Sequence, residues 1–351
     1  MLTDWPTAAL LAGFVAAAIV IFLSGVRITG LADLLADRTG LGEAIIGAVL
    51  LGAATSFSGT IVSITAALDG YASLAFSNAI GGIAAQTMFL AVADMFYRNV
   101  NLEHAAADLT NLFQGLVLFV LLALPMIALT TPEVTIWAIH PVSLAIPLIY
   151  GASLYASRSV HEKPMWSPVQ TTDTRKDEPE AENARQRAIS TRRLFLEFLL
   201  LMFIMGGAGW LIAQTGSALS DRMQISATLV GALATAVVTS LPELVTTIAA
   251  VRRGALQLAV GGIIGGNTFD MLFLPASDIA YRDGSLYHAV GMQDYFWVVI
   301  ATLMTGVLLG GLLLRQQYGP AKIGYESITL LLIYAGAVGL QLLLGFGTSP
   351  S

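Results

Sequence analysis

The sequence lacks cysteine altogether and contains few charged residues: Cys is absent from its 351 residues, and only 11% are Asp, Glu, Lys or Arg. Without cysteine, a disulfide framework and a thiolate metal site are both excluded. The scarcity of charge, together with a hydrophobic content of 56%, lies far outside the range of soluble globular domains. The composition therefore indicates a protein whose solvent is the lipid bilayer.

Long apolar runs predict ten membrane-spanning helices, since each run approaches the ~20 residues needed to cross the hydrocarbon core. Five runs precede a polar interruption and five follow it, at 8–35, 42–68, 73–97, 109–129 and 135–156, then 194–219, 225–251, 256–281, 295–314 and 327–344. Residues 157–193 concentrate charge and proline, which is typical of a solvated linker. We predict an all-α membrane protein with five-helix units at 1–156 and 194–351 and a linker at 157–193.

The distribution of basic residues predicts the orientation. If the N-terminus lies outside, 15 of the 17 Lys and Arg residues fall on the inner side, and Arg222 and Arg282 alone fall outside. The positive-inside rule then places both termini outside and the linker in the cytoplasm. We expect a multi-pass protein of a bacterial-type inner membrane, with its first apolar run retained as a helix because no basic region precedes it.

The two halves also share sequence. With a constant shift of 184 positions, 15 of the 44 residues from Thr55 to Arg98 are identical to their counterparts in the second half, without a gap. This similarity indicates a duplicated unit. Because each unit has an odd number of predicted helices, the second enters the membrane from the opposite side, which predicts two inverted repeats with a substrate site near the midplane.

One polar segment interrupts an apolar helix of the second repeat: residues 239–243 have the sequence Thr-Ser-Leu-Pro-Glu. Its hydroxyls, its carboxylate and the carbonyls freed by Pro242 are all oxygen donors, the ligand class that Na⁺ and Ca²⁺ require. Ser240 and Glu243 also match a helix-capping box, which is the structural alternative. A carboxylate at membrane depth costs several kcal/mol, and this cost favours a functional role for Glu243.

The next helix carries a second carboxylate, Asp270, one turn after Gly266. The two glycines at 265 and 266 permit a neighbouring backbone to approach closely, and tight packing is the structural alternative for this segment. Asn267 is weaker evidence of a site because an amide can simply bridge two helices. Asp270 is the second candidate for a functional carboxylate.

These two segments resemble the paired signature repeats of the cation/calcium exchanger superfamily, which includes the sodium/calcium exchangers. The family pattern is G-T-S-L-P-E on the second and seventh helices and G-S-N-x-x-N/D on the third and eighth. The second repeat fits it, with Gly266 in place of the usual serine. The resemblance implies that the cation ligands are Thr239, Ser240, Glu243 and Asp270, together with Thr55, Ser56 and Gln86 of the first repeat.

The first repeat departs from the family pattern at the positions that carry charge. Ser58 stands at the proline position, Gly59 at the glutamate position and Gln86 at the Asn/Asp position. Gly59 and Gly82 offer backbone carbonyls alone, so the site charge is at most −2, from Glu243 and Asp270. This total neutralises one Ca²⁺ but compensates several Na⁺ ions less well.

By resemblance, the protein is a secondary active antiporter and not an enzyme, exchanging sodium for calcium or related cations by alternating access. Cations and bilayer lipid are the expected partners, with no nucleic acid and no cofactor beyond the transported ions, Ca²⁺ and Na⁺. Proton-coupled or monovalent cation exchange and a degenerate exchanger that does not transport are the alternatives. An intramembrane hydrolase with Glu243 and Asp270 as an acid–base dyad is less favoured, because the surrounding hydroxyls suit ion coordination better.

Two further carboxylates occupy equivalent positions in the two repeats. Asp94 and Asp278 stand four residues before Arg98 and Arg282 near the predicted helix ends. That spacing predicts an ion pair at each membrane edge.

Overall fold

The computed structural model describes residues 4–39, 52–97, 100–169, 189–319 and 323–345, together with Leu2, Thr171 and Thr174. This part of the chain is helical and contains no β-strand, apart from an isolated bridge between Ile136 and Ile139. The first half contains α1 (Thr7–Thr39), α2 (Phe57–Leu68), α3 (Ala72–Asp94), α4 (Leu102–Ala105), α5 (Leu109–Thr130) and α6 (Pro141–Glu162).

The second half begins with α7 (Thr191–Met223) and α8 (Ala227–Thr239), a helix whose middle turns, Val230–Thr235, are π-helical. It continues with α9 (Leu241–Arg253), α10 (Leu256–Asp270), α11 (Phe273–Ala280), α12 (Leu286–Ala289), α13 (Met292–Leu314) and α14 (Tyr325–Gly345).

Among the described residues, seven helical segments are long and apolar enough to cross a membrane, or eight if the bent pair of α8 and α9 forms one span. The protein is therefore an all-helical, multi-pass membrane protein, as predicted. The count of ten spans stays a prediction. Of the candidate at 42–68, residues 42–51 lie outside the described residues, and the remainder contains α2, a helix of 12 residues.

The candidate predicted at 135–156 corresponds to α6, which is long enough to span but is not among the seven apolar segments. The helix begins at Pro141 and continues to Glu162, so residues 157–162, which we predicted as the start of the linker, are helical. A salt bridge of 2.7 Å between Arg158 and Glu162, one turn apart, stabilises this polar extension. At the far end of the linker, Ser190 caps α7 by accepting a hydrogen bond from the backbone of Arg193. Residues 175–188 lie outside the described residues.

The helix boundaries repeat at the 184-residue shift found in the sequence. Helices α1 and α7 begin and end 184 positions apart, as do the short helices α4 and α12. The first residues of α2 and α9, and of α6 and α14, are related by the same shift. Even the turns correspond, because Gly70 and Gly254 both adopt a left-handed conformation, with φ of 84° and 83°. The duplication is thus visible in the backbone well beyond residues 55–98.

The two long helices, α1 and α7, each pack closely against the site of the helix break in the opposite half. A Cβ added to Gly25 of α1 would lie 2.2 Å from Cγ of Pro242, and one added to Gly209 of α7 would lie 2.6 Å from the carbonyl oxygen of Ser58. Both contacts obey the 184-residue shift. Glycine is required at these two positions because any side chain would separate the helices.

The predicted ion pair between Asp278 and Arg282 is not formed, while the pair of Asp94 with Arg98 stays a prediction because Arg98 lies outside the described residues. Asp278 is fully buried and accepts hydrogen bonds from the backbone of His140 (2.8 Å) and Leu286 (2.8 Å) and from the Ser143 hydroxyl (2.7 Å). Arg282 instead donates to backbone carbonyls. Backbone and hydroxyl donors at helix N-termini satisfy this carboxylate in place of the guanidinium.

Asp94 has the equivalent arrangement, accepting from the backbone of Leu102 (2.9 Å) and of Gly324 (2.9 Å), while Arg98 lies outside the described residues. Each aspartate therefore joins the third helix of its own repeat to the start of the fifth helix of the other. Near Asp94 lies a buried glutamate, Glu103, in place of the Tyr287 found near Asp278. Burial and the carboxylates of Asp94 and Glu326 raise the pKa of Glu103 well above its ordinary value.

Candidate functional site

The site forms where the two repeats interrupt their second helices. Helices α8 and α9 meet at Ser240 with a bend of 45°, and Ser56 occupies the equivalent position before α2. Neither serine makes a side-chain capping bond. The capping box predicted as an alternative for Ser240 and Glu243 is therefore not formed, and both hydroxyls face protein groups of the other repeat.

Glu243 and Asp270 are both buried, with 5% and 2% of their surfaces exposed. Glu243 lies in the first turn of α9, where the positive end of the helix dipole favours a carboxylate, and Asp270 ends α10. Ser56 lies close to both: its hydroxyl donates to Oε1 of Glu243 at 3.5 Å and is also near the Asp270 carboxylate. A first-repeat hydroxyl thus lies between the two second-repeat carboxylates.

Gln86 of the first repeat contacts Asp270 of the second directly. Its Nε2 donates to Oδ2 of Asp270 at 2.6 Å and to the Ser240 hydroxyl at 3.3 Å. Gln86 and Asp270 occupy equivalent positions in the two repeats, so this hydrogen bond joins the repeats at equivalent residues. The amide faces the carboxylate as a donor, and its own Oε1 has no hydrogen-bond partner.

The two threonines are buried, but each donates its hydroxyl proton to a backbone carbonyl close by in its own segment. Thr239 donates to the carbonyl oxygens of Thr235 (3.0 Å) and Ala236 (3.2 Å). Thr55 donates to the Gly52 carbonyl oxygen at 3.3 Å and lies beside Glu243. Because a hydroxyl oxygen retains lone pairs after donating, both remain possible cation ligands.

A cavity of about 10 Å³ lies between these groups, which is about the space that one water molecule or one dehydrated ion occupies. Six of the seven predicted ligands line it, and the seventh, Thr55, lies beside Glu243 without lining the cavity. The lining consists of Ser56, Gly59, Asn78, Gly82, Gln86, Thr239, Ser240, Glu243, Asp270 and Phe273.

The electrostatics of this cavity favour a cation. Oε2 of Glu243 and Oδ1 of Asp270 are buried and have no hydrogen-bond partner. Within the described parts of the chain, neither carboxylate forms a salt bridge with Lys, Arg or His. The same residues contain no group of three or more His, Cys, Asp and Glu that could hold a metal, so hydroxyl, amide and carbonyl oxygens would complete the coordination. That donor set suits hard cations.

The structure adds two residues to the predicted site, and it gives Asn267 a role in helix packing. Asn78 and Phe273 line the cavity, although neither was predicted. Asn78 could have been found from its spacing, because Asn78, Gly82 and Gln86 recur every four residues and share one face of α3. Asn267 bridges helices, donating to the Thr87 hydroxyl at 3.0 Å, which is the role that made it weaker evidence of a site in the sequence.

The model of the family described as sodium/calcium exchanger protein matches residues 9–157 and 194–343. The chain belongs to this family. The relatives found by sequence include inner membrane protein YrbG of Escherichia coli strain K12, 31% identical over 139 residues, which are 40% of this chain and 42% of YrbG.

A second relative is sodium/potassium/calcium exchanger 5 of Homo sapiens, 27% identical over 142 residues, which are 39% of this chain and 27% of the human protein. Each match thus spans less than half of the relative. The crystal structure of the H⁺/Ca²⁺ exchanger CAX shares the fold with a TM-score of 0.71, at 14% identity over 96% of this chain and 86% of that chain. The sodium-calcium exchanger NCX_Mj has a TM-score of 0.61, at 16% identity over 95% and 99% of the chains.

Proposed function

We propose that this protein is a secondary active antiporter that binds Ca²⁺ between Glu243 and Asp270 and exchanges it for Na⁺ or another monovalent cation. The observation that carries this proposal is the pair of buried carboxylates that line one small cavity, each with an oxygen that has no hydrogen-bond partner. An uncompensated charge at membrane depth costs several kcal/mol. A bound cation supplies the missing compensation.

Alternating access would follow from movement of one group of helices against another around this site. The long helices α1 and α7 are suited to that role, because Gly25 and Gly209 let them lie directly against the two breaks. We further propose the predicted orientation, in an inner membrane with both termini outside and the linker in the cytoplasm.

Proton-coupled exchange is the second candidate, and the charge of the site favours it. Glu243 and Asp270 together carry at most two negative charges, which one Ca²⁺ would neutralise and two protons would neutralise equally after its release. The solved relatives include an H⁺/Ca²⁺ exchanger and a sodium-calcium exchanger, so the fold accommodates either counter-ion. Hydrolysis has less support, since the family and these structural relatives are exchangers.

The test is Ca²⁺ flux in liposomes that contain the purified protein, with Na⁺, K⁺ and H⁺ gradients imposed separately. We expect at least one gradient to drive Ca²⁺ uptake, and Glu243→Gln to abolish it. Glu103→Gln is the matched control, because Glu103 is equally buried but lies outside the cavity. If the folded protein moves no Ca²⁺ under any of the gradients, the antiporter proposal is wrong, and a non-transporting exchanger replaces it.

A further inference from the structure

We propose that Phe273, Asn78 and Gln86 close the first-repeat half of the site, so that the protein binds one metal cation at a time, between Glu243 and Asp270. The inference rests on the proposed function and specifies its substrate as a single divalent cation. No second metal ion would be bound beside it.

The ring of Phe273 occupies the space that a side chain at position 59 would need. A Cβ added to Gly59 would lie 2.8 Å from Cε2 and 3.2 Å from Cζ of Phe273. Real Cβ atoms essentially never approach a ring carbon at the shorter of these distances, so the ring must move before any side chain can enter. Phe273 is buried and lines the cavity, directly beside the position equivalent to Glu243.

The backbone oxygen at the same position is also engaged. Nδ2 of Asn78 donates to the Gly59 carbonyl at 3.1 Å and to the Ser63 hydroxyl at 2.9 Å. Oδ1 of Asn78 accepts from Thr235 at 2.7 Å, which holds the amide in this orientation. The carbonyl that the sequence offered as a replacement ligand therefore already accepts one hydrogen bond within the protein.

Gln86 turns its amide donor, and not its unpartnered Oε1, toward Asp270. Its Nε2 faces Asp270 at 2.6 Å, and a second metal ion in that position would meet the hydrogens of an amide. Together with the ring and the paired carbonyl, this leaves one small cavity of about 10 Å³. The cavity has room for one ion and a charge of −2 to balance it.

A simpler interpretation is that Phe273 is an ordinary packing residue and that Gly59 is small only for close helix contact. The two interpretations differ in what happens when a carboxylate is introduced at position 59 with and without the ring. Under our proposal, the carboxylate introduced by Gly59→Glu binds the cation only when the ring of Phe273 has been removed. If packing alone matters, truncating any large buried aromatic residue nearby has the same effect.

The experiment is a double-mutant cycle on the full-length protein purified in detergent: Gly59→Glu, Phe273→Ala and both together. Thermal unfolding reports the steric conflict. Calorimetric titration with Ca²⁺, and competition by Na⁺, report the number of ions. Phe76→Ala, alone and with Gly59→Glu, is the matched control, because Phe76 is a fully buried ring of the same core that does not line the cavity.

We expect Gly59→Glu to lower the unfolding temperature relative to the parent. Adding Phe273→Ala to Gly59→Glu should restore part of that loss, whereas adding Phe76→Ala should lower the unfolding temperature further. In the parent, Na⁺ should compete with Ca²⁺ with a Hill coefficient of about 1, as expected for a single position. In the Gly59→Glu/Phe273→Ala variant, the added carboxylate should tighten Ca²⁺ binding about tenfold relative to Phe273→Ala and raise the Hill coefficient toward about 2.

The proposal is overturned if Gly59→Glu alone folds like the parent and tightens Ca²⁺ binding, or if Phe273→Ala restores no stability to it. A parent Hill coefficient of about 2 or more would also overturn it, because several ions would then share the site. Absence of Ca²⁺ binding to the parent would instead refute the proposed function, while the unfolding temperatures would still report whether the ring excludes a side chain at position 59.

Discussion

Replacing Glu243 by glutamine changes the site charge from −2 to −1 while keeping the shape of the side chain. A unit charge pair 4 Å apart is worth about 4 kcal/mol at an effective dielectric constant of about 20, so a divalent ion loses about 8 kcal/mol of attraction. Part of this lost attraction is offset, because the variant no longer bears the free-energy cost of burying a second charged carboxylate. Removing one partner of a buried charge pair costs ~2–5 kcal/mol in measured cases, which corresponds to Ca²⁺ binding weakened by roughly 30-fold to several thousand-fold.

The assay is calorimetric titration of Ca²⁺ into purified parent, Glu243→Gln and Glu103→Gln proteins. The last variant removes an equally buried glutamate outside the cavity and should bind Ca²⁺ like the parent. If Glu243→Gln binds Ca²⁺ within about threefold of the parent, a difference of less than ~1 kcal/mol, the carboxylate is not a ligand and the cation lies elsewhere.

Four more predictions follow from the fold. Asp278→Ala leaves two backbone N–H groups without an acceptor, and at ~1–3 kcal/mol for each it should lower the free energy of unfolding by at least about 2 kcal/mol, measured by thermal unfolding. Gly25→Leu should abolish Ca²⁺ flux by pushing α1 away from the helix break, whereas Gly30→Leu, on the same helix with open space around it, should not. Folding raises the pKa of the Glu103 carboxyl, so this group contributes stability below its ordinary pKa, and the contribution is lost as pH rises through the folded value. In Glu103→Gln, the stability measured by thermal unfolding at several pH values should therefore fall less above the ordinary glutamate range. A cysteine introduced at Thr172, which lies outside the described residues, should react with an impermeant thiol reagent from the cytoplasmic side alone.

The pairing of equivalent residues was the strongest prediction that the sequence allowed. The 184-residue shift, found over 44 positions, also relates the boundaries of α1 and α7 and the contacts of Gly25 and Gly209. A duplicated unit is visible in one sequence because equivalent positions pack against equivalent surroundings and keep similar side chains.

Predictions based on spacing along one helix were less successful. Asp278 stands at an ion-pair spacing from Arg282, yet it accepts hydrogen bonds from His140 and Ser143, more than a hundred residues away, and from Leu286. Ser240 and Glu243 match a capping box, yet Ser240 accepts a hydrogen bond from Gln86 instead. In each case a partner that is distant in sequence displaced the local one, because a buried polar group binds whichever donor the fold brings to it.

The sequence by itself determined that the protein is a membrane protein, that it contains a duplicated unit, and which two carboxylates interrupt apolar helices of the second repeat. These follow from apolar run length, internal identity and the cost of intramembrane charge, all of which are local or periodic properties. Only the tertiary structure decided what faces those carboxylates. The ring of Phe273 against Gly59 and the amide of Asn78 on its carbonyl join residues 214 and 19 positions apart, and no pattern along the chain reports the distance between atoms that meet through packing of separate helices.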